Sequence, residues 1–260
     1  MSRAVPAVVS ASLVFALALS ISGCAPERQL PTDPPPAVTL PPVETPTPTP
    51  TPSPTPVFDK TQRSIDDASS YWVVVNKLRP LDPQDFAAGD LVPVPVPYVY
   101  APMMRATAAK AIVRLFKDFT EETGLKMQSQ SAYRSYGAQV STYNNWVAQL
   151  GQKGADLTSA RPGHSEHQTG LAMDISALPA KCSLDQCFAD TPQGKWLAKN
   201  AWKYGFILRY PEGMTDITGY EFEPWHYRFV GKDLAKEMHT TKVATLEEFF
   251  DLGPAPDYAG

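Results

Sequence analysis

Thirteen of the chain's 27 prolines crowd into residues 25–57, which end in the repeat Glu44-Thr-Pro-Thr-Pro-Thr-Pro-Thr-Pro-Ser-Pro-Thr-Pro56. Each proline fixes φ and removes a backbone donor, so this stretch can neither build a ladder nor bury a core. It favours extended polyproline II and is expected to be a disordered Pro/Thr-rich stalk. At about 3.1 Å per residue, the segment reaches roughly 100 Å. Folding is therefore left to 58–260, long enough for one good core.

Ahead of the stalk, Arg3 supplies a thin positive region, and Val8 to Leu19 form a nearly uncharged apolar run. The run closes on Ile21-Ser-Gly-Cys24, which resembles a bacterial lipobox. On that reading 1–23 is a signal peptide, and Cys24 is the lipidation site that opens the 24–57 linker. The linker then holds a globular head at the outer face of the bacterial cytoplasmic membrane. An ordinary secretory signal with a chance cysteine and an uncleaved membrane anchor are the alternatives. Lipidation of Cys24 leaves an even pair, Cys182 and Cys187, which an extracytoplasmic location permits to close as a disulfide. Two free thiols are the other reading.

The formal net charge of −4, with no Lys/Arg-rich stretch, argues against a nucleic-acid partner. In the head, Tyr71 to Val75 reads as a strand and Asp90 to Val99 as a proline-broken edge or loop. Apolar spacing predicts a helix over Met103 to Thr123, stopped by Gly124. A strand from Leu125 to Tyr133 should follow, then a helix from Tyr136 to Leu150, capped by Ser135 and closed by Gly151. Short strands are predicted over Leu171 to Ile175, Phe206 to Arg209 and His226 to Val230, with helices over Thr191 to Tyr204 and Lys232 to His239. Strands and helices do not alternate as a wound parallel sheet requires, so the fold class is α+β.

Two short runs carry the chemistry: Ser165-Glu-His-Gln-Thr-Gly-Leu-Ala-Met-Asp174 and Glu223-Pro-Trp-His226. They supply two imidazoles, a ligating carboxylate and a spare glutamate. Three protein ligands with an open position bind a hydrolytic Zn²⁺, and a free carboxylate can serve as base. Gly170 should turn a loop histidine back toward a strand carboxylate at Asp174. Ala172, on the same strand face, would leave room for a metal. Pro224 extends Glu223, so a bend is needed before both Glu223 and His226 can reach one ion, with Trp225 filling core beneath it. His164 and His239 read as surface histidines.

The pattern Ser165-x-His167-x-x-Gly170-x-Ala172-x-Asp174, followed by Glu223-Pro-Trp-His226, resembles the VanY-type D-alanyl-D-alanine carboxypeptidases, a group of zinc peptidases. Ser131-Ala-Tyr-Arg-Ser135 with Gln139, and Gly205-Phe-Ile-Leu-Arg-Tyr-Pro211, extend the likeness over roughly residues 71 to 235. The resemblance implies a small antiparallel sheet with flanking helices, of the Hedgehog/DD-peptidase type. It implies Zn²⁺ on His167, Asp174 and His226, with Glu223 as general base and Arg134 stabilising the oxyanion. Ser131, Tyr133, Gln139 and Ser165 would bind the peptide, although Ser165 could equally orient His167. Arg209 would meet substrate or pair with a carboxylate, and Ala177 to Asp190 would be a loop peculiar to this relative. The implied activity is removal of the C-terminal D-alanine from peptidoglycan stem peptides by a monomer. L,D-carboxypeptidase action on tetrapeptide stems, or a non-catalytic wall-binding module that keeps zinc, are the rivals. No Ser-x-x-Lys or Lys-Thr-Gly is present, which excludes a serine penicillin-binding enzyme.

Overall fold

The computed structural model describes residues 57–259. The signal peptide, Cys24 and the stalk through residue 56 lie outside the described residues.

Period-two alternation divides one sheet between core and site. Four strands pair antiparallel in the order β3-β4-β6-β5. Their ranges are β3 Lys126–Ser131, β4 Ala172–Leu178, β5 Phe206–Leu208 and β6 His226–Phe229. Met173, Ile175 and Ala177 of β4, with Tyr227 and Phe229 of β6, enter the main apolar cluster. The alternate residues Asp174, His226 and Arg228 are equally buried yet belong to the opposite face. The α+β class and the small antiparallel sheet with flanking helices both hold.

A second, two-stranded sheet pairs β1 Leu91–Pro93 with β2 Met103–Arg105. The helix predicted from Met103 therefore starts later. Met103 to Arg105 find ladder partners in the proline-rich segment, and α1 runs Ala106–Thr123. Its buried stripe, from Ala108 through Ile112 and Phe116 to Phe119, packs on the sheet's apolar face, and Gly124 at φ 71° ends it. Ser135 caps α2, Tyr136–Thr158, through the Ala138 N–H. Gly151 breaks this helix (φ 70°, ψ 170°) but does not end it, and the chain resumes to bury Ala155 and Asp156.

Thr191 caps α3, Pro192–Asn200, which continues as a 3-10 turn to Tyr204. The one-turn α4 (Thr215–Thr218), α5 (Lys232–Thr241) and the one-turn α6 (Leu246–Phe249) complete the head. Cys182 and Cys187 form a disulfide.

Tyr71 to Val75 is not a strand. The segment is buried from Trp72 onward, and its carbonyls are met by guanidinium groups in place of a neighbouring strand. Arg228 donates to Tyr71 O and Val73 O, Arg79 to Val74 O, and Arg209 to Val75 O. β-branched residues suit any half-buried pleated surface, and here arginines supply the hydrogen bonds that a ladder would have supplied.

Candidate active site

His167 sits on a 3-10 turn, Glu166–Thr169, closed by Gly170 at φ 68°. A Cβ at Gly170 would stand 2.7 Å from the Leu91 side chain and 3.1 Å from that of Arg105, so both conformation and space demand glycine. The turn is sewn to the end of β3. His167 Nδ1 lies 2.7 Å from Ala132 O, and the Arg134 N–H donates to His167 O at 3.2 Å. A bulge between Ser129 and Ser131 shifts the β3 register and brings Ser131 opposite Asp174.

On the neighbouring pair, Asp174 of β4 stands opposite His226 of β6. The required bend is present: a turn through Pro224 and Trp225 brings the His226 N–H to Glu223 O at 3.0 Å. The Glu223 N–H is anchored on Tyr210 O at 3.1 Å. Both side chains consequently meet, with Glu223 Oε2 at 3.6 Å from His226 Nδ1.

His167, Asp174 and His226 each offer one donor atom within 4.8 Å of the others. His167 Nε2 is 3.2 Å from Asp174 Oδ2, and His226 Nδ1 is 3.2 Å from Asp174 Oδ1. That second approach lacks hydrogen-bond geometry, leaving Asp174 Oδ1 buried without a partner. An orphaned carboxylate oxygen between two imidazoles is costly unless a cation completes it. The far nitrogens are already engaged, His167 Nδ1 by Ala132 O and His226 Nε2 by Glu166 Oε2 at 3.2 Å. This is the supporting shell that fixes ring orientation around a metal. Two nitrogens and one carboxylate fit Zn²⁺ with a position to spare.

Burial opposes charge on Asp174, but the imidazoles of His167 and His226 outweigh it and hold its carboxyl well below the usual range. Burial lowers His167. It would lower His226 as well, but the carboxylates of Asp174 and Glu166 overcome it and raise that imidazole to about 9. A cation on the same donors takes the place of that proton. Burial pushes Glu223 up to about 8, with Asp174 and Glu166 adding to the rise against His226 and Arg134. A carboxylate so placed is a base whose proton affinity matches neutral water chemistry.

The cleft above these groups has a volume of about 500 Å³. Arg134, Ser165 and Glu223 line it together with the three donors. Its outer walls include Trp146 of α2, Tyr210, and Leu184 to Gln186 of the disulfide loop. Three residues expected to bind peptide stand elsewhere. Gln139 is fully buried and accepts from Arg134 Nη1 at 2.9 Å, while its amide donates to Ala160 O and Ser159 Oγ. Ser131 Oγ accepts from Arg134 Nη2 at 2.9 Å, so both residues hold the guanidinium. Tyr133 lies outside the cleft lining, its N–H on Met103 O. Ser165 does line the cleft, and the ring of His167 is oriented by Ala132 O.

Arg209 is buried and pairs with Glu166 and Glu247, which settles it as a carboxylate partner. Ala172 faces Arg228 in the register, so the space its small side chain leaves falls beside a guanidinium. Trp225 is half-buried, packs against the apolar cluster and also lines the cleft. His164 is half-buried, with Nδ1 2.8 Å from Asn76 O, while His239 is exposed and stacked on Trp202.

Sequence reasoning missed Glu166, Arg228, Glu247 and Tyr210, whose ring lies 4.9 Å from that of His226. Arg228 carried a signal, since it sits two residues from His226 and thus on the same strand face. Glu166 adjoins His167 in the motif but shows no spacing cue.

A buried donor triad, a high-affinity base and a held guanidinium along one face of a small antiparallel sheet place the molecule among metal-dependent hydrolases. Comparison with known proteins narrows this. The model of the VanY family, D-alanyl-D-alanine carboxypeptidase, matches residues 101–232, and the chain belongs to that family. YodJ of Bacillus subtilis (strain 168), whose name assigns it provisionally to the carboxypeptidases, is 40% identical over 193 residues, or 72% of this chain and 70% of YodJ. The solved LdcB LD-carboxypeptidase superposes with a TM-score of 0.65 at 40% identity, covering 71% of this chain and 87% of LdcB. A vancomycin-resistance D,D-pentapeptidase VanY variant in complex with Zn(II) gives a TM-score of 0.57 at 29% identity, covering 68% of this chain and 97% of that one. The protein is a carboxypeptidase-family hydrolase, and its cofactor is Zn²⁺.

Proposed function

We propose that this protein is a zinc-dependent D,D-carboxypeptidase that removes the C-terminal D-alanine from peptidoglycan stem peptides. The observation that carries the reading is the gathering of His167, Asp174 and His226 donors within 4.8 Å, beside a half-buried Glu223 on the cleft wall, in a member of the VanY family. Zn²⁺ held by those three residues supplies Lewis acidity and lowers the pKa of water at the open position. Glu223 takes the proton of the attacking water and returns it to the leaving amine. Arg134, fixed by Ser131 and Gln139, meets the negative charge that develops on the carbonyl oxygen. Ser165, beside His167 on the cleft wall, contacts the peptide.

The test is release of D-alanine from a stem pentapeptide by the purified head, followed by mass spectrometry with and without a chelator. Glu223→Ala should retain zinc and lose turnover; wild-type turnover in that variant would sink the mechanism. A second reading, L,D-carboxypeptidase action on tetrapeptide stems, is favoured by the similarity to LdcB. Alanine released from tetrapeptide, with pentapeptide untouched, would select it.

The remaining parts of the reading concern location. A signal peptide over 1–23, a lipidated Cys24 and a proline-rich linker to residue 57 would place a monomeric head, 58–260, outside the cytoplasmic membrane within reach of its wall substrate. Fatty-acid labelling that persists in Cys24→Ala would contradict the anchor.

A further inference from the structure

Each imidazole in the donor triad has two tautomers, and only one leaves the correct nitrogen free for a metal. For His226 the correct one carries its proton on Nε2. Two carboxylates pull the other way: Asp174 Oδ1 at 3.2 Å and Glu223 Oε2 at 3.6 Å both face Nδ1. Something on the Nε2 side has to outcompete them.

We propose that Glu166 is the positioning residue that fixes the His226 tautomer, and that a closed quartet reaching to Glu247 holds it there. The proposal rests on the zinc-site reading above. Its geometry is specific. Arg209 Nε and Arg228 Nη1 both donate to Glu166 Oε1, at 2.8 and 2.6 Å. Oε2 is thereby left to His226 Nε2 at 3.2 Å. Arg209 is pinned at its far end by a bidentate pair with Glu247, Nη1 to Oε2 at 2.9 Å and Nη2 to Oε1 at 2.7 Å. Asn76 Nδ2 then donates to Glu247 Oε1 at 2.9 Å. Arg228 is pinned by the carbonyls of Tyr71 and Val73.

All four charged side chains of the quartet have zero exposure. Two anions and two cations balance one another within the quartet. A network that served stability alone would have no reason to reserve one Glu166 oxygen for a metal-ligating ring. Its outer anchors, Glu247, Asn76, Tyr71 and Val73, all lie outside the 101–232 stretch that the family model matches. Segments on both sides of that stretch thus complete the support of the metal site.

The experiment uses the full chain stripped of metal and titrated with zinc against a chromogenic chelator. Glu166→Gln should weaken zinc binding about 10- to 100-fold, and Glu247→Gln should weaken it in the same direction by a smaller factor. If Glu166→Gln fails to fold, Glu247→Gln still decides, as does ¹⁵N NMR of the zinc-loaded wild type, which should show His226 protonated on Nε2. Wild-type zinc affinity in the folded variants, or an Nδ1-protonated His226, overturns the inference alone. A wild-type chain that takes up no zinc overturns the enzymatic reading and this inference together.

Discussion

Two glutamates flank His226, one at each ring nitrogen, and the protein treats them in opposite ways. Glu166 faces Nε2 from a sealed corner where two arginines reach it, and they hold its carboxyl well below the usual range against the cost of burial. Glu223 faces Nδ1 from the cleft side, with no hydrogen-bonded cation, and burial lifts it to about 8. The side chain is the same and both approach the same imidazole. What differs is the number of guanidinium groups within reach, and that number separates a permanent anion from a proton acceptor.

The largest effect that would break this contrast is on turnover. Glu223→Gln should cut kcat by about 10²- to 10⁴-fold at unchanged zinc content, measured as D-alanine release alongside metal analysis. Glu166→Gln should act first on folding, because it leaves two buried arginines short of a partner. A loss of about 3–5 kcal/mol in denaturant unfolding is expected. Glu223→Gln, which replaces a carboxyl that its site already holds back from ionising, should stay within about 1 kcal/mol of wild type or gain stability.

The pH response of the metal-free protein sharpens the comparison. Glu166 and Asp174 have folded pKa values below their ordinary 4.5 and 3.8. Their stabilisation is therefore complete above about pH 4.5 and is lost as pH falls toward the folded values. Glu223 has the opposite sign: its contribution is complete below 4.5 and is lost as pH rises through about 8. His226 adds a loss between 6.5 and about 9. Thermal unfolding across pH should show both limbs, and Glu223→Gln should abolish only the part that begins near 4.5. The smallest effect is expected at Ser131→Ala, which frees one arm of Arg134 and should lower kcat about tenfold or less.

The two glutamates also differ in how legible they were. Glu223, His226, His167 and Asp174 lie in two short runs whose turns are local, so glycine, proline and strand alternation bring them together almost unaided. The sealed corner is built from residues 43, 62 and 38 positions apart, namely Arg209 to Glu166, Arg228 to Glu166, and Glu247 to Arg209. No local spacing encodes such pairs. The same limit explains Tyr71 to Val75, where β-branched residues signalled a strand but the partners included the distant guanidinium groups of Arg209 and Arg228. Residues read as peptide binders from the motif, Ser131 and Gln139, lie near the cleft and hydrogen-bond Arg134. Pattern finds the neighbourhood, but only packing shows that they grip Arg134.

Core and site share β4 and β6 at alternate positions, and that arrangement limits how such a molecule can vary. Substitution can tune either face separately. A one-residue deletion that slips β4 against β6 would send Met173 toward the cleft and Asp174 into the oily interior at one stroke. Length in these two strands is therefore the quantity a lineage can least afford to change, while the loops that wall the cleft remain open to insertion.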